Sequence, residues 1–168
     1  KFDYEKGKWF NHQYLQLKSN DELADLFMPV LAQHGITADK AVVAKVIGLT
    51  KDRVNFVPEL WEQTNFFFVA PTEYDEKSLK KRWKEDSPRH MQELLALLEP
   101  QKDWSAEALD ALVMPWIAEK EYGVGIVMNA FRICLVGAAR GPHIWAITDI
   151  LGKEETLRRV RTALEKIK

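Results

Sequence analysis

Residues 131–164, FRICLVGAARGPHIWAITDILGKEETLRRVRTAL, decide how the rest of this chain is interpreted. Apolar residues recur there at helical spacing, and glycines interrupt the pattern. Gly137 is expected to end a first helix, Arg140-Gly141-Pro142 to form a turn, and Gly152 to end a second helix. A third helix then begins with carboxylates in its first turn, where the helix dipole favours negative charge. The stretch therefore predicts three helices joined by short turns.

The same helical spacing covers most of the chain that precedes this stretch. Ser19-Asn20-Asp21-Glu22 has the form of a capping box, and Ser105 is placed to cap another helix. Pro29 and Pro115 lie inside apolar patterns and are expected to kink or divide their helices. Residues 65–69 form a short apolar run that fits a strand, although a helix end is favoured among so many helices. The sequence predicts an all-α fold of about nine or ten helices.

A break in the pattern at residues 98–104 suggests how the chain is divided. This segment contains Pro100 and mostly polar neighbours, which is typical of a linker. We therefore expect two helical subdomains, residues 1–100 and residues 101–168. The first would include a linking helix at residues 3–17, which carries an aromatic stripe.

Composition and charge limit the classes of function. The chain has 168 residues, 46% of them hydrophobic, which is ample for a buried core. No apolar run approaches the roughly 20 residues of a membrane span, and the first residues show no basic segment followed by an apolar stretch, so secretion is not expected. The formal net charge of −1 excludes a uniformly basic nucleic-acid-binding protein but allows a local basic face. Cys134, the single cysteine, is expected to be a buried, inert thiol, in keeping with a reducing cytoplasm.

No catalytic or metal site is indicated by the residues. The histidines, His12, His34, His90 and His143, are scattered, without the spacing of metal ligands. The Gly123-Val124-Gly125 segment lacks the lysine and the preceding strand of a phosphate-binding loop. Carboxylate pairs such as Glu154-Glu155 stand at helix starts, where capping explains them. The sequence therefore predicts neither catalytic residues nor a cofactor in this chain.

The order of motifs is nevertheless distinctive. The chain resembles the C-terminal part of bacterial glutamyl-tRNA synthetases, the class I glutamate–tRNA ligases. The family pattern is an arginine, a small-residue turn, a loop with proline and then Leu-Leu-Gly-Lys-Glu. Its counterparts here are Arg132, Leu135-Val136-Gly137, Gly141-Pro142 and Ile150-Leu151-Gly152-Lys153-Glu154, and Lys8-Trp9-Phe10-Asn11 with Tyr14-Leu15 matches an earlier helix of the family.

The resemblance implies a fold and a function. The fold is an anticodon-binding region built of helical subdomains of the α-helix cage type. Its partners would be the anticodon loop of tRNA-Glu and an N-terminal catalytic domain of the same protein, acting as a monomer in the cytoplasm. ATP and Mg would bind that catalytic domain, because the His-Ile-Gly-His and Lys-Met-Ser-Lys-Ser signatures are absent here. The start at Lys1, without Met, fits a piece of a longer protein that does not aminoacylate tRNA alone.

Arg53 is the leading site residue that the resemblance implies. In the family, an arginine at the matching position contacts an anticodon base, a task that suits the planar donors of a guanidinium. Its presence would mark an enzyme that rejects glutamine tRNA. On the residues alone, a solvated arginine at a helix junction is the favoured interpretation of Arg53.

The segment around the second turn supplies the other implied site residues: Arg132, Gly141, Pro142, Ile144 and Trp145. A turn of small residues lets a base approach backbone amide and carbonyl groups, and Ile144 or Trp145 would provide an apolar wall or a stacking face. Core packing is the alternative for both side chains. The family often has threonine where this chain has Gly141, so a hydroxyl contact would be lost, and it often has proline where this chain has Ala130.

Charged helices leave two further alternatives open. The segment from Asp75 to Lys84 is rich in lysine and would suit phosphates, although a solvated face is the favoured interpretation. On the last helix, Arg158, Arg159 and Arg161 would suit contact with the anticodon-stem backbone, and solvation at the surface explains them equally well. Two rival functions also remain: a helical protein-interaction module without RNA binding, and a free-standing helical enzyme.

Overall fold

The computed structural model describes residues 12–167. Within that range the chain forms nine α-helices and one short 3-10 helix. They are α1 (residues 12–17), α2 (Asn20–Gln33), α3 (Lys40–Thr50), the 3-10 helix (Lys51–Arg53), α4 (Glu59–Phe68), α5 (Glu76–Arg82), α6 (Ser87–Leu98), α7 (Ala106–Glu119), α8 (Val124–Val136) and α9 (Ile144–Lys166).

This architecture confirms the all-α prediction, since no strand occurs between residues 12 and 167. Residues 65–68 of the short apolar run complete α4 and Val69 is its C-cap, so the helix end favoured over a strand is present. The capping box at Ser19 is present: Ser19 Oγ accepts the Glu22 N–H at 3.1 Å, and Glu22 Oε1 accepts the Ser19 N–H at 3.3 Å. The part of the aromatic helix predicted before residue 12 lies outside the described residues. Over the described range, no helix combines the length and the apolar composition of a membrane span.

Two helices continue through a proline. Pro29 lies inside α2 and Pro115 inside α7, so neither residue divides its helix. A proline leaves the carbonyl four residues earlier without its helical hydrogen bond. Here those carbonyls belong to Asp25 and Ala111, which are exposed, so water can supply the missing bond.

The chain divides into two compact units, one ending at Val69 and one beginning at Ala70. This division differs from the boundary predicted at residues 100/101. The reason is packing: α5 contacts α8, and α6 contacts both α8 and α9, so these two helices belong to the second unit. The sequences of α5 and α6 do not reveal which helices their apolar faces pack against. In addition, a proline after a helix is found in short connections within a domain as well as in linkers between domains.

The first unit is built on one hydrophobic core shared by α1 to α4. Each helix supplies apolar side chains to it, and so does Val54, directly after the 3-10 helix. Because Val54 is 1% exposed, the 3-10 helix is attached to this core at its C-terminal end. The core residues are Leu15, Leu23, Ala24, Phe27, Leu31, Val43, Ile47, Val54 and Leu60.

The second unit is organised around α8, which contacts α5, α6, α7 and α9. Seven residues of α8 are buried, and they include the last four, Ile133 to Val136. The glycine interruptions predicted from sequence are present. Gly137 ends α8 with a φ of 90°, and Gly152 breaks α9 with a φ of 80° and a ψ of 167°. The stretch that begins at residue 131 is thus three helical segments, as predicted.

Candidate nucleic-acid interface

Residues 137–143 form the turn between α8 and α9, and both of its ends are held by hydrogen bonds. At its start, the Gly137 N–H donates to Ile133 O at 2.8 Å. At its end, His143 Nδ1 accepts the Trp145 N–H at 3.2 Å and caps α9. Gly141, in the middle, has a φ of 116°, which side-chain-bearing residues rarely adopt. We call residues 137–143 the α8–α9 turn.

Arg132 binds this turn from the preceding helix. Its Nη1 donates to Pro142 O at 2.6 Å and to Arg140 O at 3.4 Å. A guanidinium stays charged and carries its donors in a fixed plane, so it can hold two carbonyls at once. The structure therefore brings Arg132, Gly141 and Pro142 together. The side chain of Arg132 contacts the turn by donating hydrogen bonds to main-chain carbonyls of the turn.

The peptide groups of Gly141 are among those that this arrangement leaves available. Among the described residues, the N–H and the C=O of Gly141 make no hydrogen bond, whereas the carbonyls of Arg140 and Pro142 are engaged by Arg132. Gly141 is half-buried, and it has no side chain to block the approach of a flat ring. These groups can donate to and accept from the edge of a base.

Ile144 and Trp145 are placed in the core of the second unit. They are 5% and 3% exposed, respectively. The Trp145 indole packs near the ring of Phe131 with centroids 6.2 Å apart, and its Nε1 donates to Asp110 Oδ1 at 3.1 Å. The core-packing alternative therefore describes both side chains, and neither presents a face for stacking. They anchor the start of α9, directly after the turn.

Arg53 lies in the first unit, at the end of the 3-10 helix. Its side chain is exposed and makes no hydrogen bond or ion pair with another residue in the range 12–167. The backbone on both sides of Arg53 is held by side chains of α1. His12 Nδ1 lies 2.9 Å from Val54 O, and Gln16 Nε2 donates to Lys51 O at 3.3 Å. Sequence reasoning did not single out His12 or Gln16, because their partners lie 42 and 35 residues away.

Arginines of the last helix are engaged within the protein. Arg159 is 3% exposed; its Nη1 donates to Leu135 O at 2.8 Å and its Nε to Glu155 Oε2 at 2.7 Å. Arg158 donates to both carboxylate oxygens of Glu155 at 2.7 Å. These bonds, with that of Arg158 the largest cause, lower the pKa of Glu155, while burial lowers the pKa of Arg159. Arg159 thus holds the end of α8, directly before the turn.

Basic side chains on and after α5 are arranged differently. These cations are exposed and lie in no ion pair with the residues that the structure describes. Arg161 of the last helix, in contrast, pairs with Glu99 at 2.7 Å. The exposure of the cations on and after α5 agrees with a solvated face and also leaves them free to meet phosphates. They are Lys77, Lys80, Lys81, Arg82 and Lys84.

An open cleft beside the α8–α9 turn was not foreseen from sequence. It is lined by residues 73–75, Ser78 and residues 136–140. Ser78 Oγ accepts the Ala139 N–H at 3.0 Å, and the Asp75 N–H donates to Gly137 O at 2.8 Å. Hydrogen bonds from Ser78, with the hydroxyl bond first, lower the pKa of Asp75. Ser78 and Ala139 are 61 residues apart, so no local pattern signals this contact.

The structure supplies no grouping that suits a metal ion. Among residues 12–167, no three His, Cys, Asp or Glu side chains converge in a way that could hold one. Cys134 is fully buried, and burial raises the pKa of its thiol well above the usual range. The prediction of a buried thiol is confirmed.

Comparison with known proteins establishes the family of this chain. The profile of the family described as "Anticodon binding domain" matches residues 22–164. The chain belongs to the anticodon binding domain family. Along its whole length the domain is 60% identical to the glutamate–tRNA ligase of Phocaeicola vulgatus and 56% identical to that of Bacteroides thetaiotaomicron, of which it covers 33% in each case.

Solved structures show the same relationship. The domain superposes on the crystal structure of a glutamate tRNA ligase from Elizabethkingia meningosepticum in complex with its amino acid, with a TM-score of 0.93 and 38% identity. That match covers 99% of this chain and 33% of the ligase. A glutamate-tRNA synthetase from Elizabethkingia anophelis gives a TM-score of 0.86, also at 38% identity, over 98% of this chain and 32% of that chain. The domain thus spans about a third of the relatives that it matches.

Proposed function

We propose that this domain binds the anticodon loop of glutamate tRNA as part of a glutamate–tRNA ligase. The observation that carries the proposal is the family membership together with the high identity to glutamate–tRNA ligases over the whole chain. The catalytic step, attachment of glutamate to tRNA with ATP and Mg, would belong to another part of the ligase. This domain would place the tRNA for that step, in the cytoplasm and as part of a monomer.

The α8–α9 turn is the first proposed contact. Anticodon bases are unpaired, so their hydrogen-bonding edges are accessible to backbone groups. The free peptide groups of Gly141 would bond such an edge, with Pro142 giving the turn a stiff backbone. Arg132 would keep the turn in shape through the Arg140 and Pro142 carbonyls. Ile144 and Trp145 would support the turn from the core and would not themselves stack on a base.

Arg53 is the second proposed contact. An exposed guanidinium without a partner in the described chain can bond a base edge or stack on a base without first breaking an internal ion pair. We propose that Arg53 favours the glutamate anticodon over the glutamine anticodon. The two anticodons differ at a single base, so one well-placed donor group suffices for a preference.

A binding experiment with short RNAs tests this function. Fluorescently labelled stem-loops carrying the glutamate or the glutamine anticodon would be titrated with the 168-residue chain at two salt concentrations. An R53A variant would be run in parallel, with K77A as the control. Like R53A, K77A removes one exposed positive charge, but it lies on α5 and touches neither proposed base contact. We expect salt-sensitive binding that prefers the glutamate stem-loop and loses most of that preference in R53A but not in K77A.

Two results would contradict the proposal. Binding that is equal for both stem-loops and unchanged by R53A would show that Arg53 does not distinguish the glutamate anticodon from the glutamine anticodon. No salt-dependent binding of either RNA would favour the protein-interaction alternative.

A further inference from the structure

Among the features that the proposed function does not use, the polar side chains of α1 stand out because they contact the segment that carries Arg53. His12 and Gln16 are four residues apart and therefore lie on one face of the helix. His12 reaches the carbonyl of Val54 and Gln16 the carbonyl of Lys51. These two carbonyls stand on either side of Asp52 and Arg53. The contacts thus bracket the arginine.

A third contact runs in the opposite direction. Lys51 Nζ donates to Lys18 O at 3.3 Å, at the end of α1. Leu15, between His12 and Gln16 in sequence, is 4% exposed and shares the hydrophobic core with Val54. Helix α1 is therefore joined to the 51–54 segment by apolar packing and by three hydrogen bonds to main-chain carbonyls.

The 51–54 segment needs such support. A 3-10 helix has poorer hydrogen-bond geometry than an α-helix, and this one consists of three residues. Its closing bond, from the Val54 N–H to Lys51 O, is 3.3 Å long. Arg53 itself is exposed and contributes no contact that would hold the backbone in place.

We infer that His12 and Gln16 are positioning residues for the anticodon contact made by Arg53. They hold the carbonyls of Val54 and Lys51, so the backbone that carries Arg53 keeps one conformation and its guanidinium meets the base at little entropic cost. The inference rests on the proposed function, because it assigns a purpose to the orientation of Arg53. It extends that function to α1, which has no base contact of its own.

The test compares selectivity, which a purely stabilising role would not change. The double variant H12F/Q16M keeps the approximate size of both side chains and removes both polar contacts. The control is D39A, which removes the bond from the Ala41 N–H to Asp39 Oδ1 at the N-terminal end of α3, the far end of that helix from the 3-10 helix. Each protein would be titrated with the glutamate and glutamine stem-loops, and its urea midpoint would be recorded.

We expect H12F/Q16M to lose about 5- to 20-fold in preference for the glutamate stem-loop, while D39A keeps the wild-type preference at a similar drop in urea midpoint. In an R53A background, H12F/Q16M should cause no further loss of preference. Backbone ¹⁵N relaxation should show increased mobility at Asp52 and Arg53 in H12F/Q16M and not in D39A. If the double variant does not fold, Q16M alone removes one contact and allows the same comparison.

The outcomes separate the two proposals. If the wild type prefers the glutamate stem-loop through Arg53, but H12F/Q16M behaves like D39A, the positioning role is wrong and the proposed function stands. If the wild type shows no preference, or R53A does not reduce it, the proposed role of Arg53 fails and the positioning role fails with it; if neither stem-loop is bound, the proposed function itself fails.

Discussion

The guanidinium of Arg132 is bonded to the main chain of Pro142: Nη1 lies 2.6 Å from the carbonyl oxygen, ten residues further along the chain. The same nitrogen reaches Arg140 O, so the bonds fall on both sides of Gly141. An arginine that contacts the turn in this way controls the shape of the proposed RNA contact. It does so even if it never meets a base.

Replacing Arg132 tests this control. R132A leaves two turn carbonyls without their donor, and we expect it to weaken stem-loop binding more than tenfold and to lower the free energy of unfolding by about 1–3 kcal/mol. R132K keeps a donor that can reach one carbonyl and should give intermediate values. Fluorescence anisotropy and urea denaturation measure the two effects. Wild-type affinity in a folded R132A protein would show that the turn keeps its shape without Arg132.

Trp145 should affect stability and not RNA binding. W145F keeps an aromatic ring in the core but loses the bond to Asp110, so we expect unfolding to become about 1 kcal/mol easier. Stem-loop affinity should stay within twofold of wild type at temperatures where both proteins are folded. D110N, which retains an oxygen acceptor for the indole, serves as the control. A tenfold loss of affinity in W145F alone would place this ring against the RNA.

Gly137 and Gly35 form a matched pair for a backbone test. Both have positive φ, 90° and 74°. A Cβ at Gly137 would lie 2.8 Å from Pro71 Cβ and 3.0 Å from Glu73 O, whereas a Cβ at Gly35 meets nothing within 4 Å. We expect G35A to cost about 1–2 kcal/mol for the backbone conformation alone. G137A should cost about 1–3 kcal/mol more because of the clash. Equal losses in urea denaturation would mean that the 71–73 segment moves aside freely.

His90 should make the stability of the domain depend on pH. It is buried against the Tyr122 ring, with centroids 4.0 Å apart, and its Nδ1 has no hydrogen-bond partner among the described residues. Burial, and secondarily the charge of Arg89, lowers the pKa of His90. The unfolded chain then binds a proton at a higher pH than the folded one. Stability from this group is therefore complete above the usual histidine pKa of about 6.5 and falls as the pH drops below it.

Removing the titrating ring tests that sign. Urea midpoints of the wild type should decrease between about pH 6.5 and pH 5, and those of H90F should decrease less over the same range. Other groups contribute equally to both proteins, so the difference between the two curves isolates His90. Parallel curves would assign the pH dependence to other groups.

Local sequence patterns were sufficient for the helices and their ends. The capping box at Ser19, the cap at Ser105 and the glycine stop at Gly137 each depend on groups within four residues of one another. For the same reason the three-segment pattern around Gly152 was readable from sequence. The continuous helices at Pro29 and Pro115 were not predicted from sequence, since the exposure to water of Asp25 and Ala111, four residues earlier, depends on how the helices pack.

The order of the motifs along the chain also indicated the family. It did not predict the contacts that each implied site residue makes. Arg132 is half-buried and Arg53 exposed, and both are plain arginines in sequence. Ile144 and Trp145 were equally compatible with an RNA-facing wall and with a core. Burial depends on which helices surround a side chain, and α9 is covered by helices that lie far from it along the chain, such as α6.

The sequence by itself therefore determined the helical class, the caps, the glycine breaks and the resemblance to the family, because these follow from neighbouring residues or from their order. Only the tertiary structure decided that α5 and α6 belong to the second unit, that Ser78 meets Ala139, and that His12 and Gln16 bracket Arg53. These contacts join residues 35 to 61 positions apart. Such contacts form because folding buries each helix's apolar face against a partner, and no periodicity within one helix specifies that partner.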